Sequence, residues 1–186
     1  GAASVVVGIR PRRPASSWIW WLLAVGMALW VAGDSIYSFL SFRATGDLPF
    51  PTAADICYYA FYPLVAVSMV GTLKRRLPGR DVSGLVDAGL VTVAASVLSW
   101  TFLMAPYARD RTLGLPEKLA SIGYPLCDLL LIALLARLLL APGRRATTFS
   151  LIVAALTCNL IADVVYGYQS LAGTYASGDV TDVGWL

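Results

Sequence analysis

The sequence predicts an all-α protein, a polytopic transmembrane helix bundle with five full spans, the start of a sixth, and a cytoplasmic N-terminus. Three observations predict it. Hydrophobic residues make up 58% of the 186-residue chain and charged residues 13%, against roughly 45–50% and about 25% in soluble domains. The apolar residues gather into stretches of the roughly 20 residues needed to cross a bilayer. The basic residues sort to alternate sides of those stretches. The mean hydropathy of +0.71 agrees. This balance excludes a soluble globule, a disordered tail and a disulfide-stapled secreted module. The chain has no histidine, which removes imidazole acid–base chemistry and His-ligated metal or haem from it.

In chain order, residues 1–17 form a basic cytoplasmic segment carrying Arg10, Arg12 and Arg13, and residues 18–186 form the transmembrane domain. The first span, Trp18–Leu40, opens on Trp18, Trp20 and Trp21, an interfacial aromatic belt. It also carries Ala24, Ala28 and Ala32, either a small-xxx-small stripe suited to close helix packing or simply apolar surface facing lipid. The further spans are Asp55–Leu73, Leu85–Met104, Lys118–Leu140 and Phe149–Leu171. The first apolar stretch is long enough to span and more spans follow, so it is not a cleaved signal peptide. Val183-Gly184-Trp185-Leu186 opens a sixth span. The start without Met and the end on Trp-Leu read as processed or cut ends, so the domain is expected to be truncated at its C-terminus.

Orientation follows from the loops. Arg10, Arg12, Arg13, Lys74, Arg75, Arg76, Arg80, Arg144 and Arg145 fall on one side, and Arg43, Arg109, Arg111 and Lys118 on the other. The richer side is cytoplasmic by the positive-inside rule. Acidic residues oppose it: Asp47, Asp55, Asp110, Glu117, Asp179 and Asp182 lie outside and Asp81 inside. The net charge of +3 is thus a topology signal, and no nucleic-acid partner is expected.

The chain repeats itself weakly. Tyr-Pro-Leu recurs at 62–64 and 124–126, an offset of 62 that also carries Arg75 onto Arg137. Asp-x-x-Tyr recurs at Asp34/Tyr37 and Asp163/Tyr166. The reading is of helical hairpins of one kind, an odd helix bearing an Asp followed by an outer loop and an even helix.

Four carboxylates fall inside spans: Asp34, Asp87, Asp128 and Asp163. Each costs about 2.5–3.5 kcal/mol at a lipid-facing midplane, so they are expected to face the bundle interior or lie near an interface. Helical spacing groups Asn159, Asp163 and Tyr166 on one face, and Trp30, Asp34 and Tyr37 on another. Asp55, Tyr59 and Tyr62 make a third face, and Ser121, Tyr124 and Asp128 a fourth. Pro63 and Pro125 free the carbonyls of Tyr59 and Ser121 on those faces and are expected to kink their helices. Together these residues predict an outward-opening polar cavity for a small ligand or ion. Asp–Tyr hydrogen bonds that only hold the bundle together are the competing account. Asp87, near Arg80 and Asp81, is read as a helix cap or ion-pair partner.

Cys57, Cys127 and Cys158 lie within spans without C-x-x-C spacing and are read as small apolar residues. Met27, Met69 and Met104 outline no copper path. No phosphate-cradling loop, nucleophile elbow or metalloprotease motif occurs, so no catalysis, metal or cofactor is expected in this chain.

Several stretches in order resemble a known family. They are Pro51-Thr52-Ala53-Ala54-Asp55 running into Tyr62-Pro63-Leu64, Leu85-Val86-Asp87-Ala88, Tyr124-Pro125-Leu126-Cys127-Asp128 with Ala136-Arg137-Leu138-Leu139, Ala162-Asp163-Val164-Val165-Tyr166, and Gly173-Thr174-Tyr175 through Asp182-Val183-Gly184-Trp185-Leu186. From about residue 18 onward the chain resembles the N-terminal multi-span membrane sensory domain of actinobacterial signalling proteins. Those proteins commonly end in GGDEF and EAL domains, which make and degrade cyclic di-GMP. The resemblance implies an input module in the bacterial plasma membrane, a homodimer, and a cytoplasmic output domain outside this chain. A small ion- or proton-coupled transporter is the runner-up, since intramembrane carboxylates, prolines and repeats also mark those. An accessory subunit of a membrane complex is a third possibility.

Overall fold

A computed structural model describes residues 17–44, 48–76, 82–141, 147–175 and 180–185. The basic segment 1–16, Asp47, Arg80, Asp81, Arg144, Arg145 and Asp179 lie outside the described residues. The described elements are all helical: α1 (Ser17–Arg43), α2 (Ala54–Arg76), α3 (Val82–Ser99), a π-helical turn (Trp100–Met104), α4 (Ala105–Arg109), α5 (Leu115–Leu140), α6 (Thr147–Ala172) and a 3₁₀ segment (Val180–Trp185). Five stretches are long and apolar enough to cross a membrane: Ser17–Arg43, Ala54–Arg76, Val82–Arg109, Leu115–Leu140 and Phe149–Ala172. Their outer surfaces suit hydrocarbon: Leu119, Leu151 and Ile161 are 64%, 64% and 59% exposed. These features make the chain a multi-pass membrane protein.

The third span runs five residues beyond the expected Met104, to Arg109. Pro106 explains both the extension and its form. A proline cannot donate to the carbonyl four residues back and crowds it. The helix therefore widens first into the π turn, where the Ala105 N–H bonds the Trp100 carbonyl, and Pro106 then enters at the start of the short α4. The other helices begin or end within three residues of the sequence reading.

The chain divides into two compact units, Gly1–Pro78 and Gly79–Leu186. In the first, α1 and α2 form an antiparallel hairpin. Its seam is a ladder of small residues against larger ones. A Cβ on Gly33 would come within 2.6 Å of the Tyr58 ring, one on Gly26 within 3.5 Å of Phe61 and Val65, and one on Gly71 within 2.6 Å of Trp18. The Ser68 hydroxyl donates to the Ile19 carbonyl at 3.1 Å. Ile19, Gly26 and Gly33 repeat every seven residues along α1, which keeps one face on α2. This corrects the expected stripe: Ala24 is buried, but Ala28 is exposed and the close approach belongs to the glycines.

In the second unit, α3 packs chiefly on α5, and α5, the π turn and the 3₁₀ segment all contact α6. Leu131, Leu135 and Leu138 of α5 and Leu156, Leu160 and Ala162 of α6 are buried. Gly173 ends α6 at a φ of 65°, with its N–H on the Ser170 carbonyl and the Thr174 N–H on the Gln169 carbonyl. That double bond pattern is a Schellman cap, and the left-handed residue it requires favours glycine.

The repeat extends to how the even helices begin. The Thr52 N–H donates to Asp55 Oδ2 at 2.6 Å before α2, and the Gly114 N–H donates to Glu117 Oε2 at 2.6 Å before α5. Each is the reach-back half of a capping box, which satisfies an N–H that a helix start leaves over. The 62-residue offset that relates the two Tyr-Pro-Leu runs also relates these two caps. Both helices continue unbroken past Pro63 and Pro125.

Candidate functional site

Two intramembrane aspartates are centres of polar contact, one in each unit. Asp163 lies on α6, and three neighbours reach it. Asn159, one turn earlier, donates its amide N–H to Oδ2 at 2.7 Å. The indole N–H of Trp185, on the 3₁₀ segment, donates to Oδ1 at 2.8 Å. Asp128, buried on α5, makes a third, side-chain hydrogen bond. Two carboxyl groups, Asp128 and Asp163, therefore meet between two neighbouring helices.

The 3₁₀ segment is seated by packing as well. A Cβ on Gly184 would come within 2.7 Å of the Ala162 Cβ, so only glycine lets the backbone approach α6 this closely. The Tyr166 ring meets Trp185 edge-on at 5.5 Å and Tyr175 at 4.7 Å. One turn further along α6, a Cβ on Gly167 would come within 3.0 Å of Leu103, on the π turn. The π turn therefore abuts the helix that carries the carboxylate. Such turns recur at functional positions because they redirect side chains within an otherwise regular helix.

In the first unit, Asp34 accepts a hydrogen bond of 2.8 Å from the Tyr58 hydroxyl. It is exposed on its hairpin, whereas the sequence reading expects it to face the interior or lie near an interface. It lies nine residues before Arg43, about 14 Å along the helix from that end. An aspartate so placed is stable only where water or another polar surface reaches it. Trp30, one turn earlier, packs against Tyr58 at 5.1 Å and Phe61 at 5.0 Å. Its indole N–H is buried without a hydrogen-bond partner among the described residues.

The structure thus sorts the expected site residues. Asp128, Asn159, Asp163 and Tyr166 share one cluster. Asp34 belongs to the other unit, with Tyr37 exposed one turn along the same helix. Tyr62 is 2% exposed and packs edge-on to Phe61, so it is core, not cavity wall. Tyr59 and Tyr124 are half-buried, each with a partner. Pro63 is exposed and Pro125 half-buried. Asp55, expected on the Tyr59/Tyr62 face, serves the start of α2 through both the N–H and the hydroxyl of Thr52. Asp87 is exposed in the second turn of α3. Cys158 is exposed, whereas Cys57 and Cys127 are half-buried.

Two residues that complete these clusters escaped the sequence reading, Tyr58 and the indole of Trp185. Their signal is the repeat itself. Each is an aromatic donor lying 24 or 22 residues after the aspartate of an Asp-x-x-Tyr turn. No family model, curated protein or solved structure matches the chain.

Proposed function

We propose that this chain is a membrane-embedded sensory input domain whose receptive element is the Asp128–Asp163–Trp185 cluster. The observation that carries this reading is the convergence on one carboxylate of polar groups from three places: the Asn159 amide of its own helix, the Asp128 carboxyl of a neighbouring helix and the Trp185 indole of the 3₁₀ segment. A cation, proton or amine that competes for Asp163 alters which of those elements are tied together. A ligand shifts an equilibrium only by binding two arrangements differently, and a shared carboxylate supplies that difference. Tyr166 lines the same cluster. Asp34 with Tyr37 and Tyr58 is the second polar position, open to a ligand or to another protein surface.

The resemblance to actinobacterial sensory domains extends the proposal. The domain sits in the bacterial plasma membrane with its N-terminus cytoplasmic, dimerises, and controls a cyclic di-GMP output domain, with no catalytic group of its own. The test is Asp163→Asn in the native gene, read by a cyclic di-GMP reporter. The expected result is normal membrane insertion with output changed several-fold. Unchanged output with failed assembly would assign the cluster a purely structural role.

One observation favours a second reading. Two carboxyls that meet between helices also suit a proton-coupled carrier. Uptake into proteoliposomes driven by a pH gradient and abolished by Asp163→Asn would support that reading over the sensory one.

A further inference from the structure

The seam between α1 and α2 opens, at the end that carries Lys74 and Arg75, into a cavity of about 300 Å³ lined by Trp18, Val67, Val70, Gly71, Lys74 and Arg75. We propose that this cavity binds an anionic phospholipid, with the phosphate beside Lys74 and Arg75 and the start of an acyl chain along Val67 and Val70. Three features argue for that occupant. The first is charge: Lys74, Arg75 and Arg76 form the last turn of α2, and no carboxylate among the described residues lines the cavity. The second is the order of chemistry along the groove. Val67 to Arg75 spans eight residues, about 12 Å of helix, with apolar side chains at the end nearer the membrane centre and cations at the other. A diacyl phospholipid presents that order at a bilayer surface, and a soluble phosphate does not. The third is the wall. Trp18 is half exposed in the first turn of α1, at the level where indoles settle in the headgroup region. Its ring reaches to where a Cβ of residue 71 would stand, so Gly71 lets the indole close one side against the α2 backbone.

The volume is adequate, being equivalent to about ten water molecules. That holds a phosphate group and several methylenes but not a whole lipid, so the remaining chain lies along the outer surface. Basic pockets between transmembrane helices at a membrane surface recognise anionic headgroups in this way.

The experiment is native mass spectrometry of the full chain released from mixed micelles containing equal phosphatidylglycerol and phosphatidylcholine. The wild type is expected to retain phosphatidylglycerol at least fivefold over phosphatidylcholine, and Lys74→Gln/Arg75→Gln to reduce that preference to below twofold. Because Arg75 also contacts other groups of the protein, a second variant leaves the charges in place. Val67→Trp fills the apolar end and is expected to cut phosphatidylglycerol retention by a similar factor. Equal retention of the two lipids by the wild type would overturn the proposal, as would a preference unchanged in both variants. Full displacement by millimolar glycerol phosphate would also overturn it, since the apolar wall would then contribute nothing.

Discussion

Asp34 and Asp163 occupy the same local frame, with an N–H donor four residues before and a tyrosine three residues after. Their surroundings nevertheless differ. Asp163 takes hydrogen bonds from Asn159 and Trp185 and pairs with Asp128. Among the described residues Asp34 takes one, from Tyr58, and it stays exposed. The difference begins at the residue one turn earlier. Asn159 is short, and its amide reaches the next turn of its own helix. Trp30 carries a large ring that settles between Tyr58 and Phe61, where each aromatic contact is worth about 0.5–1.5 kcal/mol beyond buried area. Packing takes the indole, and its N–H has no partner among the described residues. A repeated motif places two carboxylates equivalently on their helices, and the neighbours decide what each becomes.

Replacing the carboxylates by an apolar isostere probes this contrast most strongly. Asp163→Leu strands the Asn159 amide and the Trp185 N–H at once and removes the carboxyl beside Asp128, and each unsatisfied buried group costs about 1–3 kcal/mol. A loss on the order of 3 kcal/mol is expected in thermal unfolding in detergent. Asp34→Leu strands only the Tyr58 hydroxyl and removes an exposed charge, so its effect is expected to stay under about 1 kcal/mol. Equal losses would break the comparison.

The aromatic donors come next. Trp185→Phe keeps a ring against Tyr166 and removes one hydrogen bond. Tyr58→Phe does the same beside Asp34. Interhelical hydrogen bonds within membranes average about 0.6 kcal/mol and reach about 1.7. The Trp185 change belongs near the upper figure, since its acceptor is part-buried, and the Tyr58 change near the average. The ordering of the two unfolding midpoints checks it.

The helical neighbours should show opposite signs. Asn159→Leu is expected to destabilise by about 1 kcal/mol through the lost amide donor. Trp30→Phe removes a buried N–H that has no partner among the described residues, and is expected to be neutral or slightly stabilising despite the smaller ring. A loss above about 1 kcal/mol for Trp30→Phe would show that its N–H is satisfied in the membrane.

The smallest effect lies outside both clusters. In the loop before α5, the Thr112 hydroxyl and N–H donate to Asp110 at 2.6 and 2.7 Å and hold its carboxyl below the ordinary carboxylate range. A lowered folded-state value stabilises above the unfolded pKa and loses that contribution as pH falls through the folded one. The group lies half-exposed in a surface loop and is screened, so Asp110→Asn should leave the unfolding midpoint nearly unchanged at pH 7. Thr112→Val removes the hydroxyl donor and should instead move the Asp110 titration, followed by carboxyl NMR, back up toward the ordinary carboxylate range.

Much of the fold was legible because bilayer thickness acts on composition alone. A run of about 20 apolar residues becomes a spanning helix whatever it packs against, so the five spans emerge with boundaries close to those observed. The third span ran longer because a proline near its end is absorbed by a π turn, an adjustment that depends on neighbouring packing. The helix faces of Asn159, Asp163 and Tyr166, and of Tyr124 and Asp128, were also legible, since spacing along a helix fixes which residues share a side. The tyrosines were misjudged where volume mattered. Tyr62 shares a face with Asp55 and Tyr59, yet its ring belongs to the hairpin core.

By itself, the sequence determined the helical class, the number of membrane-competent stretches in the described residues, and the four carboxylates that need an explanation. These follow from hydrophobicity, length and period, which are properties of each segment alone. Only the tertiary structure decided that Asp163 meets Asp128, Asn159 and Trp185 while Asp34 accepts from the Tyr58 phenol, that glycines and not alanines form the α1–α2 seam, and that Trp185 returns to α6. Hydrogen-bond geometry and close packing depend on distances between segments, and no pattern within one helix contains them.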